Sequence, residues 1–106
     1  PAILIVSIGD RESKTETGEL HTMPGVKNLV RYQQALAAKT HVAFWNMFEA
    51  MGGEGSMVEM VSSKPAMANY DYTHINFRGG KHLANILFDA LMYGKEQYEK
   101  RKAYEN

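Results

Sequence analysis

The sequence of 106 residues contains no cysteine, which excludes disulfides, thiolate metal ligands and a cysteine nucleophile, and leaves the redox compartment open. It also lacks a charge excess, because twelve Lys and Arg balance twelve Asp and Glu. No apolar run approaches the roughly 20 residues of a membrane span, and no basic leader precedes an apolar run. We therefore expect neither a nucleic-acid partner nor a membrane span.

The length favours one domain at most, so we treat residues 1–106 as a single unit. The apolar run 3–8 predicts a strand, and a continuous run of this kind is typical of a parallel strand buried on both faces. Such a strand needs a neighbour on each side. We therefore expect strand 3–8 to present an unpaired apolar edge, which pairs with another polypeptide or with a second copy of this chain.

An α/β fold class follows from the order of the first elements. Polar residues and residues that break helices and strands predict a loop over Gly9–Thr22. Thr22 is the expected N-cap of a helix from Pro24 to Lys39. A short strand, His41–Phe44, comes next, at the spacing of a right-handed parallel crossover. The pattern predicts at least two parallel strands.

The second half is predicted to be mainly helical. Short helices are expected before Gly52-Gly53 and before Pro65, followed by a loop and a last core helix from Gly79 to Tyr93. Gly94 marks a stop or a weak point, and residues 95–106 are predicted to form a charged helical tail.

Asp71 and His74 are the candidate catalytic residues. A carboxylate three residues before an imidazole, on a loop at the start of a helix, can orient that imidazole as a general base. The same spacing also fits a surface loop in which Asp71 caps a turn. A metal site of Asp71, His74 and His82 has no ligand pair at i,i+4 on one helix face, so we expect no metal and no cofactor.

From Asp71 the order is Asp-x-x-His-x-Asn-x-x-Gly, and the helix that follows begins its apolar face at Leu83. This order resembles the last motif block of the SGNH (GDSL-type) esterases and acylhydrolases. The resemblance covers most of the chain and implies the C-terminal half of a three-layer α/β/α domain with a parallel sheet. It further implies that His74 activates a serine while Asp71 holds the imidazole.

The remaining blocks of that family are not found in these residues. The family's nucleophile belongs to a Gly-Asp-Ser block after the first strand, and a Gly and an Asn from two further blocks form its oxyanion hole. Gly9-Asp10-Arg11 imitates the first block, but Arg11 occupies the place of the nucleophile and cannot attack an acyl group. We interpret these three residues as the turn after a later strand.

The resemblance thus implies part of a serine esterase, with the chain alone lacking the nucleophile and inactive. It also implies that strand 3–8 pairs with the N-terminal half of the same domain, or with a second copy of this chain. Similarity of residues 43–52 to bacterial members that act on acylated carbohydrates makes O-acetyl groups on carbohydrate a candidate substrate, and is compatible with a periplasmic or extracellular location. The alternative hypothesis is a non-catalytic α/β binding or assembly module, in which Asp71 and His74 serve only the loop.

Overall fold

The computed structural model describes residues 2–105. Their elements, in chain order, are β1 (Leu4–Val6), β2 (Glu12–Lys14), β3 (Leu20–Thr22), α1 (Val26–Thr40), β4 (Ala43–Trp45), α2 (Met47–Met51), α3 (Ser56–Ser62) and α4 (Phe77–Glu105).

The first strand and β4 form a parallel pair, with Ile5 opposite Phe44. Helix α1 connects the two strands and packs against β4, burying Val26, Val30 and Ala37 on one side. This apolar spacing is what a helix with one buried face requires. The predicted α/β class and the parallel crossover are confirmed, within a sheet of two parallel strands.

The predicted loop over Gly9–Thr22 is wrong in part, because β2 and β3 form an antiparallel hairpin there. Gly18 lies in its turn at φ +83°, a backbone conformation that glycine adopts without strain. The hairpin strands are largely polar, so they lack the alternating apolar residues by which a strand is predicted. The predicted N-cap is also wrong, because Thr22 is the last residue of β3 and Gly25 is the N-cap of α1.

Two apolar clusters form the core. One lies mainly between α3 and the start of α4, and the other lies between α1 and α2. The buried members are Met57, Met60, Val61, Ala68 and Leu83 in the first, and Val26, Val30 and Phe48 in the second. The first cluster fixes the loop between α3 and α4, which carries Asp71 and His74.

Helix α4 continues without a break through Gly94, so the predicted end of the helix at Tyr93 is wrong and the charged tail is part of one 29-residue helix. One isolated glycine costs a helix only about 1 kcal/mol, which neighbouring good helix formers offset. Glu96 and Lys100 form an i,i+4 ion pair in this helix, at 3.8 Å. Every residue from Phe88 to Glu105 is exposed, so this part of the helix projects from the core.

The side chains of β1 are less buried than an interior strand requires. Leu4 and Val6 are 37% and 41% exposed, and Ile3, directly before the strand, is 56% exposed. Among residues 2–105, β1 pairs only with β4, which leaves its other edge unpaired. An apolar strand with an open edge is a template for a further strand.

Candidate functional site

A closed loop between α3 and α4 carries the two candidate catalytic residues. Its stem is held by three backbone hydrogen bonds: Met67 N–H donates to Met60 O (2.8 Å), Asn76 N–H to Met67 O (3.1 Å) and Asn69 N–H to His74 O (2.9 Å). These bonds satisfy backbone groups of a segment without regular secondary structure. The loop is therefore a defined structure whose tip presents Asp71 and His74.

The Asp71 carboxylate organises this tip with both of its oxygens. Oδ1 accepts hydrogen bonds from the backbone N–H groups of Thr73 and His74, each at 3.0 Å. Oδ2 lies 2.6 Å from Nδ1 of the His74 ring. Because an ionised carboxylate only accepts, Nδ1 must donate, and in a neutral ring Nε2 is then the acceptor.

The pKa of Asp71 is lowered from 3.8 to about 2. The hydrogen bond from the His74 ring is the largest cause, followed by the backbone N–H groups of His74 and Thr73. All three donors stabilise the ionised form. The orienting carboxylate is consequently ionised throughout the neutral and mildly acidic range, although the side chains of Asp71 and His74 are 49% and 70% exposed.

Tyr72 connects this loop to the hairpin. Its backbone has φ +55°, an uncommon conformation for a residue with a side chain. The Tyr72 carbonyl accepts a hydrogen bond from Glu12 N–H at 3.0 Å, and its N–H donates to Asn69 O at 3.1 Å. The hairpin thus holds the loop at the residue between Asp71 and Thr73.

The Asn and Gly of the motif fasten the loop to α4. Asn76 Oδ1 accepts from Gly79 N–H at 2.9 Å, and its Nδ2 donates to Ala66 O at 2.8 Å. This caps the start of α4 with a side chain, as helix N-termini require. Gly79 is buried, and a Cβ there would overlap the carbonyl oxygen of Met67. The motif spacing is therefore explained by close packing of α4 on the loop.

His74 lies at a cavity of about 440 Å³, within the ~300–1,000 Å³ range of small-molecule sites. Thr73 and His74 contribute one side, and the turn Gly9–Arg11 contributes another. The other lining residues are apolar: Ile8, Leu29, Met47, Met51, Met57 and Ile75. The turn follows β1, as predicted, but sequence reasoning missed that it meets the His74 loop.

The cavity contains no serine from residues 2–105. Ser7 and Ser56 are each 2% exposed, and the Ser7 hydroxyl donates to Ile8 O. The Thr73 hydroxyl, which does line the cavity, donates to Asp71 O at 3.2 Å. The described part of the chain thus pairs an imidazole with a carboxylate at the cavity, and no serine of residues 2–105 lines it.

A buried polar cluster beside the cavity was also missed. Asp10 is 1% exposed, and its oxygens accept from the Thr22 hydroxyl (2.7 Å) and from Met57 N–H (3.0 Å). Glu12 is 5% exposed and lies 3.2 Å from the same Thr22 hydroxyl. Thr22 Oγ1 in turn accepts from Gly55 N–H at 3.1 Å. The cluster joins the hairpin to the start of α3.

The pKa of Glu12 is raised from 4.5 to about 7. Burial is the largest cause, and hydrogen bonding with the Asp10 carboxyl and its negative charge add to it. All three causes disfavour a negative charge on Glu12 beside Asp10. The only indication in the sequence was a pair of acidic residues, Asp10 and Glu12, within a polar segment.

Comparison with protein-family models, curated proteins and solved structures finds no match. No group of three or more metal-ligating side chains occurs among residues 2–105. In the same part of the chain, none of the helices is both long and apolar enough to cross a membrane.

Proposed function

We propose that this chain is the C-terminal part of a serine esterase with a three-layer α/β/α fold, and that it supplies the general base and its orienting carboxylate. The observation that carries the proposal is the 2.6 Å contact between His74 Nδ1 and Asp71 Oδ2. That contact directs the ring so that Nε2 can accept a proton, at a cavity of substrate size.

In the proposed reaction, Nε2 of His74 takes the proton of a serine hydroxyl supplied from outside residues 1–106. The serine oxygen then attacks the ester carbonyl, and Asp71 stabilises the imidazolium that forms. The imidazolium returns the proton to the leaving alcohol as the acyl-enzyme is produced. A water molecule repeats the same sequence, with His74 again as the base, and releases the acid.

The N-terminal half of the same domain is the proposed partner, and the open edge of β1 is where its sheet would continue. O-acetyl groups on carbohydrate remain the proposed substrate class. The second candidate, a non-catalytic binding or assembly module, is favoured by one observation: no serine of residues 2–105 lines the cavity.

Hydrolysis of 4-nitrophenyl acetate by the full-length protein that contains this segment tests the proposal. His74→Ala should lower kcat on the order of 10⁴–10⁶-fold, because the serine loses its general base and the triad residues act as a unit. Asp71→Asn should lower kcat by about 10⁴-fold, because an amide favours the wrong tautomer of the ring.

His82→Ala is the matched control, since His82 is exposed on α4 and does not line the cavity. Its kcat should equal that of the wild type. If His74→Ala and His82→Ala retain equal activity, His74 is not the base and the module hypothesis is preferred.

A further inference from the structure

Among residues 2–105, Arg11 is the one side chain with a permanent positive charge that lines the cavity. It is exposed, and within residues 2–105 its guanidinium makes no ion pair or side-chain hydrogen bond. A guanidinium is permanently charged and presents a planar set of N–H donors that matches a carboxylate or a phosphate. Its charge is therefore free to meet a ligand.

The backbone around Arg11 is held in place relative to His74. Arg11 O accepts from Met23 N–H at 2.7 Å, and the next residue, Glu12, donates its N–H to Tyr72 O at 3.0 Å. On the other side, the Asp10 side chain is buried and bonded to Met57 N–H. The backbone of Arg11 is thus held beside the loop of the proposed base, and its side chain is exposed.

The nearby acidic groups do not neutralise Arg11. The Asp10 carboxylate is directed at Thr22 and the start of α3, and Asp71 is paired with His74. Glu12 is buried in the Thr22 cluster, and its raised pKa reduces the negative charge there. The cavity accordingly combines a free positive charge with a predominantly apolar lining.

We propose that Arg11 determines specificity by binding an anionic group, a carboxylate or a phosphate, on the alcohol part of the ester substrate. This inference rests on the proposed esterase function. The imidazole that protonates the leaving alcohol lines the same cavity as Arg11, so the alcohol part lies between them. The natural substrates are then acyl esters of acidic alcohols, such as acidic sugars, and the apolar lining contacts their uncharged parts.

The experiment compares 4-acetoxybenzoate, whose alcohol part carries a carboxylate, with its neutral methyl ester in the full-length protein. Wild type should hydrolyse the acidic ester with at least tenfold higher kcat/KM. Arg11→Met should remove that preference, whereas Arg11→Lys should keep part of it as a point charge. Arg101→Met is the matched control: it removes the same charge from the exposed end of α4 and should keep the full preference.

Binding of the product 4-hydroxybenzoate, measured by calorimetry, separates this inference from the esterase proposal. Suppose that neither ester is hydrolysed, but that 4-hydroxybenzoate binds and Arg11→Met lowers its affinity at least tenfold. The esterase proposal then fails and the anion site stands. If wild type hydrolyses both esters equally well, or if Arg101→Met loses the preference as Arg11→Met does, the anion site is overturned while the esterase stands.

Discussion

Asp71 forms three hydrogen bonds with groups only two and three residues away, the Thr73 and His74 backbone N–H groups and the His74 ring. Such local contacts need no distant packing, because the spacing of the side chains already permits them. The geometry of the candidate base is consequently a property of a four-residue segment. The rest of the molecule decides where that segment points.

Glu12 contrasts with Asp71, because its environment comes from distant parts of the chain. Its pKa is raised to about 7, first by burial and then by the Asp10 carboxyl. The Glu12 carboxyl therefore binds its proton more tightly in the folded chain than in the unfolded chain. The stability that this proton contributes is fully present at a pH below 4.5, the ordinary pKa of the group, and is lost as the pH rises through about 7.

Glu12→Gln should remove this pH dependence, because the amide mimics the protonated carboxyl and never ionises. Urea unfolding at roughly pH 5 and pH 8 measures it as a difference in the free energy of unfolding. Wild type should lose stability between the two values and the variant should lose less. Glu16→Gln is the control, because Glu16 is exposed in the hairpin turn, and it should lose as much stability as wild type. If Glu12→Gln also loses as much, burial of Glu12 beside Asp10 does not control the pH dependence.

At the scale of elements, the approach of α4 to the loop that carries Asp71 and His74 depends on the absence of a side chain at Gly79. The Asn76 side chain fixes the start of the helix, and the helix backbone then passes directly over Met67 O. The Asn76 cap and the close contact at Gly79 lie in the first turn of α4, and together they determine the position of the helix against the loop. The hairpin fixes the opposite side of the loop through the Glu12 to Tyr72 bond.

Gly79→Ala should destabilise the fold by roughly 1–3 kcal/mol or more, because the added methyl group meets backbone that cannot move aside cheaply. Gly80→Ala is the matched control, with its nearest atom, Ile75 Cδ1, at 4.0 Å. It should raise the free energy of unfolding by ~0.5–1 kcal/mol, the usual gain from replacing glycine in a helix. Thermal unfolding followed by circular dichroism measures both. Equal effects of the two variants would show that the close contact does not limit packing.

At the scale of the whole molecule, much of the apolar surface is not covered by the chain itself. The radius of gyration is 16.5 Å, against ~13 Å for a compact domain of this length, because the end of α4 projects. Apolar side chains of β1 and of α4 are both exposed, but within residues 2–105 β1 also has an unpaired backbone edge. A strand edge offers hydrogen bonds as well as apolar contact, so it is the stronger site of association.

The isolated chain should therefore self-associate through β1, and Val6→Lys should shift it towards the monomer by placing a charge on the edge strand. Sedimentation velocity at increasing concentration measures the distribution. Leu91→Lys adds the same charge at an exposed apolar position of α4 and should leave association unchanged. A wild-type chain that stays monomeric at high concentration, or a Leu91→Lys variant that dissociates as readily, would refute association through β1.

The sequence by itself determined the features that depend on neighbours along the chain. These are the Asp71 to His74 contact, the buried face of α1, and the strand, helix and strand order of the crossover. Each follows from spacings of a few residues or from one repeating pattern. The function implied by the resemblance to SGNH esterases stays a prediction, tested by the experiments above.

Only the tertiary structure decided which distant segments meet. It brought the turn at Arg11 to the cavity of His74, buried Asp10 and Glu12 around Thr22, and paired two polar strands into a hairpin. Polar residues carry no periodic pattern that distinguishes a buried position from a loop, so their burial follows from packing alone. Helix propensity likewise gave a wrong end for the last helix at Gly94, because the cost of one glycine is small beside the stability of a long helix.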